Sequence, residues 1–259
     1  MNFSLKWTYL LLVFLCCFLL ELRSENEMNG GTENSKVSIF LVGDSTVASY
    51  KPQVAPLTGW GQVFGEFFKE NVQVQNHAVS GCSTKSFRDL GLWKKAIQAT
   101  HAQDYLFIQF SHNDEKKDHP DVYAEAHTDF KENLKRFIAE ARERNVNPIL
   151  VTPVCRRNFS PQGKLVETHG EYPQVIRETA TEEGVPLIDL TAKSFEYFQK
   201  QGPEGTLKIF LWLDPGVSPN YPKGSQDNTH FSETGARAIA QLVVDNLKAI
   251  DHPLAQSLK

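Results

Sequence analysis

No charged residue interrupts the run Val37–Val42, and it stops abruptly at Gly43-Asp44-Ser45-Thr46. Short apolar runs bounded by a turn read as strands covered on both faces, as parallel strands in α/β sheets are. Such sheets place their chemistry at the carboxyl ends of the strands. Ser45 sits at that position, just past a glycine that lets the backbone turn tightly. From this stretch alone, Ser45 is either a turn residue or a nucleophile that needs a base and an oxyanion site from elsewhere.

The rest of the chain alternates in the same manner. Apolar positions Trp60, Val63, Phe64, Phe67 and Phe68 form a helical stripe within 59–69. Strand patterns follow at 71–78, 104–110, 148–152 and 186–190, and helical patterns at 86–100, 121–145, 171–183 and 194–201. Gly202 to Asn228 is rich in Gly and Pro and reads as irregular. A last helix spans about 233–249, with Ser232 as its N-cap. Five strands alternating with helices predict one α/β domain, a three-layer α/β/α sandwich around a mostly parallel sheet.

The N-terminus obeys different rules. Lys6 precedes an apolar run from Trp7 to Leu20, the pattern of a secretory signal peptide. The run falls short of the roughly 20 residues that span a bilayer, although an uncleaved anchor stays an alternative. The expected organisation is a leader over 1–24, a polar tether over 25–36 and a domain over 37–259. The mature protein is then secreted or periplasmic, with no stable membrane association. A formal charge of −4 without a Lys/Arg-rich run excludes an ordinary nucleic-acid binder. Outside the leader only Cys82 and Cys155 remain. They permit one disulfide or two buried free thiols, and they are not a metal set.

Three strand ends fall on one edge of such a sheet: Ser45 after the first, Gly81 after the second and Asn113 after the third. Acyl transfer through a serine needs donors aimed at the oxyanion and a base near the hydroxyl. Backbone N–H groups of Ser45 and Gly81 with the Asn113 amide can supply the donors. Asp227-Asn228-Thr229-His230, just before the last helix, can supply a base and its orienting carboxylate. Each block alone has a plain turn or capping alternative.

Taken in order, Gly43-Asp44-Ser45-Thr46, Gly81, His112-Asn113-Asp114 and Asp227-Asn228-Thr229-His230 resemble the SGNH (GDSL-type) hydrolase superfamily. Within it, Gly59-Trp60-Gly61-Gln62, Ser83-Thr84-Lys85-Ser86-Phe87 and His112 make the chain most similar to the rhamnogalacturonan acetylesterases of carbohydrate esterase family 12. The resemblance covers about 37–247. It implies a flavodoxin-like five-stranded sheet and a triad of Ser45, His230 and Asp227. It also implies an oxyanion hole of Ser45, Gly81 and Asn113, no cofactor and no metal, and an acetylated pectic polysaccharide as the partner of a monomeric enzyme. Two positions leave the family pattern: Cys82 stands where arginine is common, and Ser111 where glycine is common. No Gly-x-Ser-x-Gly elbow surrounds Ser45, which argues against the α/β-hydrolase family.

Substrate contacts are expected from His112, Lys85, Arg156, Trp212 and Tyr221. Lys85 and Arg156 are either readers of a uronate carboxylate or ordinary surface charge. Trp212 and Tyr221, in the irregular stretch, are candidates for stacking on sugar faces. The run of His112, Asp114, Asp118, His119 and His127 lacks metal-protease spacing and reads as a solvated loop rather than a metal site. Rival readings are a lipase, thioesterase or xylan acetylesterase of the same superfamily, and a non-catalytic carbohydrate binder.

Overall fold

The structure, a computed structural model, describes residues 36–259. The proposed leader and all but the end of the tether lie outside the described residues.

Strand β1 (Val37–Gly43) is central to the first half of the sheet and pairs in parallel with β2 (Val72–Asn76) on one side and β3 (Tyr105–Gln109) on the other. Parallel pairs continue to β4 (Asn147–Val151) and β5 (Leu187–Ile188), giving the order β2-β1-β3-β4-β5. That order is the flavodoxin-like one, and its topological switch point lies between β1 and β3. The continuous apolar run Ile39–Val42 of β1 has a simple cause. Ile39 and Leu41 enter one core, Phe40 and Val42 the other, and all four are at most 1% exposed.

Helices cover both faces. On the Ile39 side lie α1 (Trp60–Val63), which tightens into a 3₁₀ turn at Phe64–Phe67, together with much of the C-terminal chain. On the Phe40 side lie α2 (Thr84–Asp89), α3 (Leu92–Ala99), α4 (Lys131–Glu143) and α5 (Tyr172–Glu183).

The helices differ from the sequence expectation where local chemistry intervenes. Residues 86–100 are two helices, because Gly91 turns the chain left-handed at φ 69°. The expected helix over 121–145 starts regular only at Lys131, after one wide turn at Ala126–Phe130 capped by the Glu125 carboxylate. Helix α6 (Leu190–Leu207) begins directly after β5 with Asp189 as its cap, and breaks at Gly202 before Pro203.

The stretch 202–228 is more ordered than its composition suggests. It holds the end of α6, strand β6 (Phe210–Leu213) and the start of β7 (Ser225–Phe231), an antiparallel pair. Strand β7, Ser-Gln-Asp-Asn-Thr-His-Phe, has little intrinsic strand preference, and its pairing with β6 is a tertiary decision. Helix α7 (Glu233–Ala249) follows, with Ser232 Oγ accepting from Gly235 N–H.

The β6–β7 hairpin is stitched to the loop after Ser45. Thr58 N–H donates to the Phe231 carbonyl at 3.1 Å, and Tyr221 Oη donates to the Val54 carbonyl at 3.0 Å. Cys82 and Cys155 are both buried free thiols, so no disulfide links them.

Candidate active site

The sharp turn after β1 depends on Gly43. A Cβ there would lie 2.6 Å from the Gln109 carbonyl oxygen on β3 and 2.8 Å from the Val47 side chain. The turn is locked by a buried polar chain. Trp60 Nε1 donates to Gln109 Oε1 at 2.9 Å, and Gln109 Nε2 donates to Thr46 Oγ1 at 2.7 Å. Thr46 Oγ1 and N–H then donate to Asp44 Oδ1 at 2.8 and 2.9 Å. Tyr50 Oη closes the turn from outside by donating to the Ser45 carbonyl at 2.7 Å. Burial pushes the Tyr50 phenol up to about 12, so it stays a donor at neutral pH.

Ser45 Oγ is thereby presented to β7. It lies 2.8 Å from His230 Nε2, and His230 Nδ1 lies 2.7 Å from Asp227 Oδ2. The other Asp227 oxygen accepts the backbone N–H groups of Thr229 and His230 at 2.7 and 2.9 Å. Partial burial would raise the Asp227 carboxyl, but the bonds from His230 and these two N–H groups outweigh it and hold the group at about 2. It is therefore a carboxylate at neutral pH and fixes the proton of His230 on Nδ1, leaving Nε2 free to accept from Ser45.

Behind this turn, Asn228 is held by three bonds. Its carbonyl accepts from Arg157 N–H at 2.8 Å, and its Oδ1 accepts from Trp212 Nε1 at 2.9 Å and from Arg157 Nη1 at 3.3 Å.

Donors converge on the same cavity. The backbone N–H groups of Ser45 and Gly81 have no acceptor among the described residues. Gly81 takes φ 81°, a left-handed conformation that suits glycine. Asn113 Nδ2 donates one hydrogen to the Cys82 carbonyl at 2.8 Å, and Asn113 Oδ1 accepts from Lys116 Nζ at 2.7 Å. This fixes the amide and leaves its second hydrogen unspent. The cavity, of about 280 Å³, is lined by Ser45, Ser80, Gly81, His112, Asn113, Lys116, Arg156, Thr229 and His230. No aliphatic or aromatic hydrocarbon side chain is among them.

The remaining expected contacts separate. His112 lines the cavity but is 3% exposed, with Nδ1 on Asp44 Oδ2 at 3.2 Å. Arg156 also lines it, yet its guanidinium is paired with Glu115, which in turn lies 3.0 Å from His169 Nδ1. Lys85 is outside this cavity. It lines an adjoining hollow of about 520 Å³ that shares Ser80 and Gly81, and its Nζ donates to the Pro120 carbonyl at 2.5 Å.

Trp212 and Tyr221 are not brought to the cavity either. The Trp212 indole is spent on Asn228 and stacks under Arg157 at 4.6 Å, and Tyr221 is tied to Val54. The His/Asp-rich run does not assemble: His127 Nε2 faces Glu171 at 3.3 Å while His112 is buried on Asp44. A larger cavity, of about 720 Å³, lies over α2, α3 and α4, away from Ser45, with Arg88 and Glu140 paired in its wall.

Neighbouring buried carboxylates are pushed apart. For Asp44, burial opposes the charge, but His112 and the Thr46 donors overcome it and lower the group. For Asp114, burial dominates and raises it to about 8, and its Oδ2 has no partner.

Sequence reasoning did not find Lys116, Tyr50, Gln109, Glu115 or His169. Lys116 had one readable signal: it lies one turn after Asn113. Gln109, Glu115 and His169 act through partners more than fifty residues away, which no local pattern reveals, and Tyr50 follows Ser45 by five residues without a motif to mark it. The Ser111 departure has a structural counterpart, since Ser111 sits at φ 143°, a region that favours glycine.

Residues 41–238 match the GDSL-like Lipase/Acylhydrolase family. The chain is 43% identical over 222 residues to the rhamnogalacturonan acetylesterase RhgT of Bacillus subtilis (strain 168), covering 86% of this chain and 94% of that one. Among solved structures, protein YxiM of Bacillus subtilis superposes with a TM-score of 0.72 at 30% identity; the match spans 85% of this chain and 58% of that chain. An acetylxylan esterase from Geobacillus stearothermophilus shares the fold, with a TM-score of 0.59 at 17% identity over 84% of this chain and 96% of that one.

Proposed function

Because this chain belongs to the GDSL-like lipase/acylhydrolase family and is a carboxylic ester hydrolase, we propose that it removes acetyl groups from a pectic polysaccharide of the rhamnogalacturonan type. The observation that carries the reading is the line from Asp227 through His230 to Ser45, at 2.7 and 2.8 Å, beside unspent donors.

In this reading Ser45 Oγ attacks the acetyl carbonyl carbon while His230 Nε2 takes the hydroxyl proton. The developing oxyanion is met by the N–H groups of Ser45 and Gly81 and by the free amide hydrogen of Asn113. Collapse breaks the ester bond, and His230 returns its proton to the departing sugar oxygen. Water, deprotonated by His230, then attacks the acetyl-enzyme and releases acetate, restoring Ser45. Asp227 stays ionised and stabilises the imidazolium throughout.

The absence of hydrocarbon side chains from the residues lining the cavity supports a short acyl group on a hydrophilic alcohol. A lipid acyl chain would require an apolar tunnel beside Ser45. The 43% identity to a protein named for rhamnogalacturonan supports the pectic polymer over xylan. The apolar run Trp7–Leu20 after Lys6 supports export of the enzyme.

Acetate release from acetylated rhamnogalacturonan, xylan and homogalacturonan, measured side by side, tests the proposal, with Ser45→Ala as the blank. Fastest release from rhamnogalacturonan, falling at least a thousandfold in Ser45→Ala, is expected. Near-normal activity of Ser45→Ala sinks the mechanism, and rates that rise with acyl length beyond acetyl sink the substrate class.

A further inference from the structure

We propose that His112 determines specificity by reading a free hydroxyl: its Nε2 accepts a hydrogen bond from the O–H on the sugar carbon next to the ester. This rests on the sugar-acetylesterase reading above.

The tautomer follows from the partner. His112 Nδ1 lies 3.2 Å from Asp44 Oδ2, and the other Asp44 oxygen already accepts two donors from Thr46. An ionised Asp44 needs a donor, so the ring proton sits on Nδ1 and Nε2 carries a lone pair. Burial lowers the basicity of His112, which keeps the ring neutral. The ring is also fixed in place. The His169 ring stands edge-on to it, with centroids 4.6 Å apart at 77°. His169 is held in turn by Glu115 at 3.0 Å and the Val154 carbonyl at 2.9 Å.

Nε2 has no hydrogen-bond partner among the described residues. Among the described residues the only sealed side-chain nitrogen and oxygen atoms without partners are Arg88 Nη1 and Asp114 Oδ2. His112 Nε2 is therefore not sealed, and the open space beside it is the cavity that His112 lines with Ser45 and Asn113. Lys116 and Arg156 can only donate, so neither competes with His112 for the hydroxyl hydrogen.

A fixed, desolvated acceptor next to the nucleophile selects a ligand that brings a donor. One that places a C–H there leaves the acceptor unpaired. Simple alkyl acetates bring no donor. A partly acetylated sugar ring brings one on the carbon beside the ester.

The test uses a mono-O-acetyl methyl pyranoside with a free neighbouring hydroxyl and its deoxy counterpart, on the full-length enzyme. Wild type should favour the hydroxyl compound in kcat/KM by about 10- to 100-fold. His112→Asn places an amide N–H near the position of Nδ1, retaining the bond to Asp44 while deleting the acceptor. Its preference should fall towards unity, whatever its absolute rate. His112→Gln, which places an acceptor near Nε2, should retain most of the preference, and it serves as the arbiter if His112→Asn does not fold. An unchanged preference in folded His112→Asn overturns the inference. So does wild type that does not distinguish the two compounds, or His112→Gln that loses the preference. If wild type releases acetate from neither glycoside, the sugar-ester reading itself falls, and the inference falls with it.

Discussion

Two aspartate–histidine pairs flank Ser45, and they do different work. Asp227 and His230 lie three residues apart on β7, each about 30% exposed at the side chain, with His230 within 2.8 Å of the serine hydroxyl. Asp44 and His112 lie 68 residues apart, just past the ends of β1 and β3, at most 4% exposed, with His112 Nδ1 3.2 Å from Asp44 Oδ2. In the proposed mechanism His230 of the first pair takes and returns a proton, and the pair sits where solvent reaches it. The second ties two strand ends together at the switch point, and its carboxylate serves the Thr46 turn as much as the histidine. The same residue types thus give a part-exposed pair beside the Ser45 hydroxyl in one place and a buried clasp in the other, because burial and partners differ.

That comparison breaks most sharply at the two carboxylates. Asp227→Asn should lower kcat roughly a thousandfold or more with little change in melting temperature, because the amide supports the wrong imidazole tautomer. Asp44→Ala should do the reverse in stability. It strands the Thr46 donors and His112 Nδ1, for a loss of about 3 kcal/mol in denaturant unfolding. Equal loss of stability in both variants would erase the distinction.

A smaller effect is expected at Lys116, whose ammonium donates to the Asn113 amide oxygen and so strengthens the opposite N–H. Lys116→Met should lower kcat about tenfold on an uncharged acetyl ester, with KM nearly constant, and Lys116→Arg should retain most of the rate. A change in KM alone would make Lys116 a binding group instead.

The smallest effect concerns the clasp. Ser111 precedes His112 at φ 143°, and its Oγ makes only a 3.5 Å approach to His169. Ser111→Gly should relieve that strain and stabilise the fold by about 1 kcal/mol, read as a higher melting temperature. A drop in melting temperature would show that the serine hydroxyl outweighs the backbone cost.

Much of this protein was legible in its sequence because the relevant signals are local. The apolar run 37–42, the helical stripe at Trp60 and the cap at Ser232 each involve a few neighbouring residues. The order of strand-end blocks placed Ser45, Gly81 and Asn113 on one sheet edge. Asp227 and His230 sit three apart, so their pairing needed only a turn.

What the tertiary structure alone decided involves partners far apart in the chain. The stretch 210–231 became a hairpin because β6 pairs with a strand whose own residues do not favour one. Trp212 looked free to stack on a sugar, but it braces Asn228 behind the histidine turn. Arg156 looked free to meet a carboxylate, but it is paired with Glu115 beneath His169. His169 reaches His112 from 57 residues away, and no periodicity or spacing encodes that contact. Local chemistry set the elements and the turn at Ser45. Only the packing of distant segments could settle which charges remain free to act and which are consumed in holding the site together.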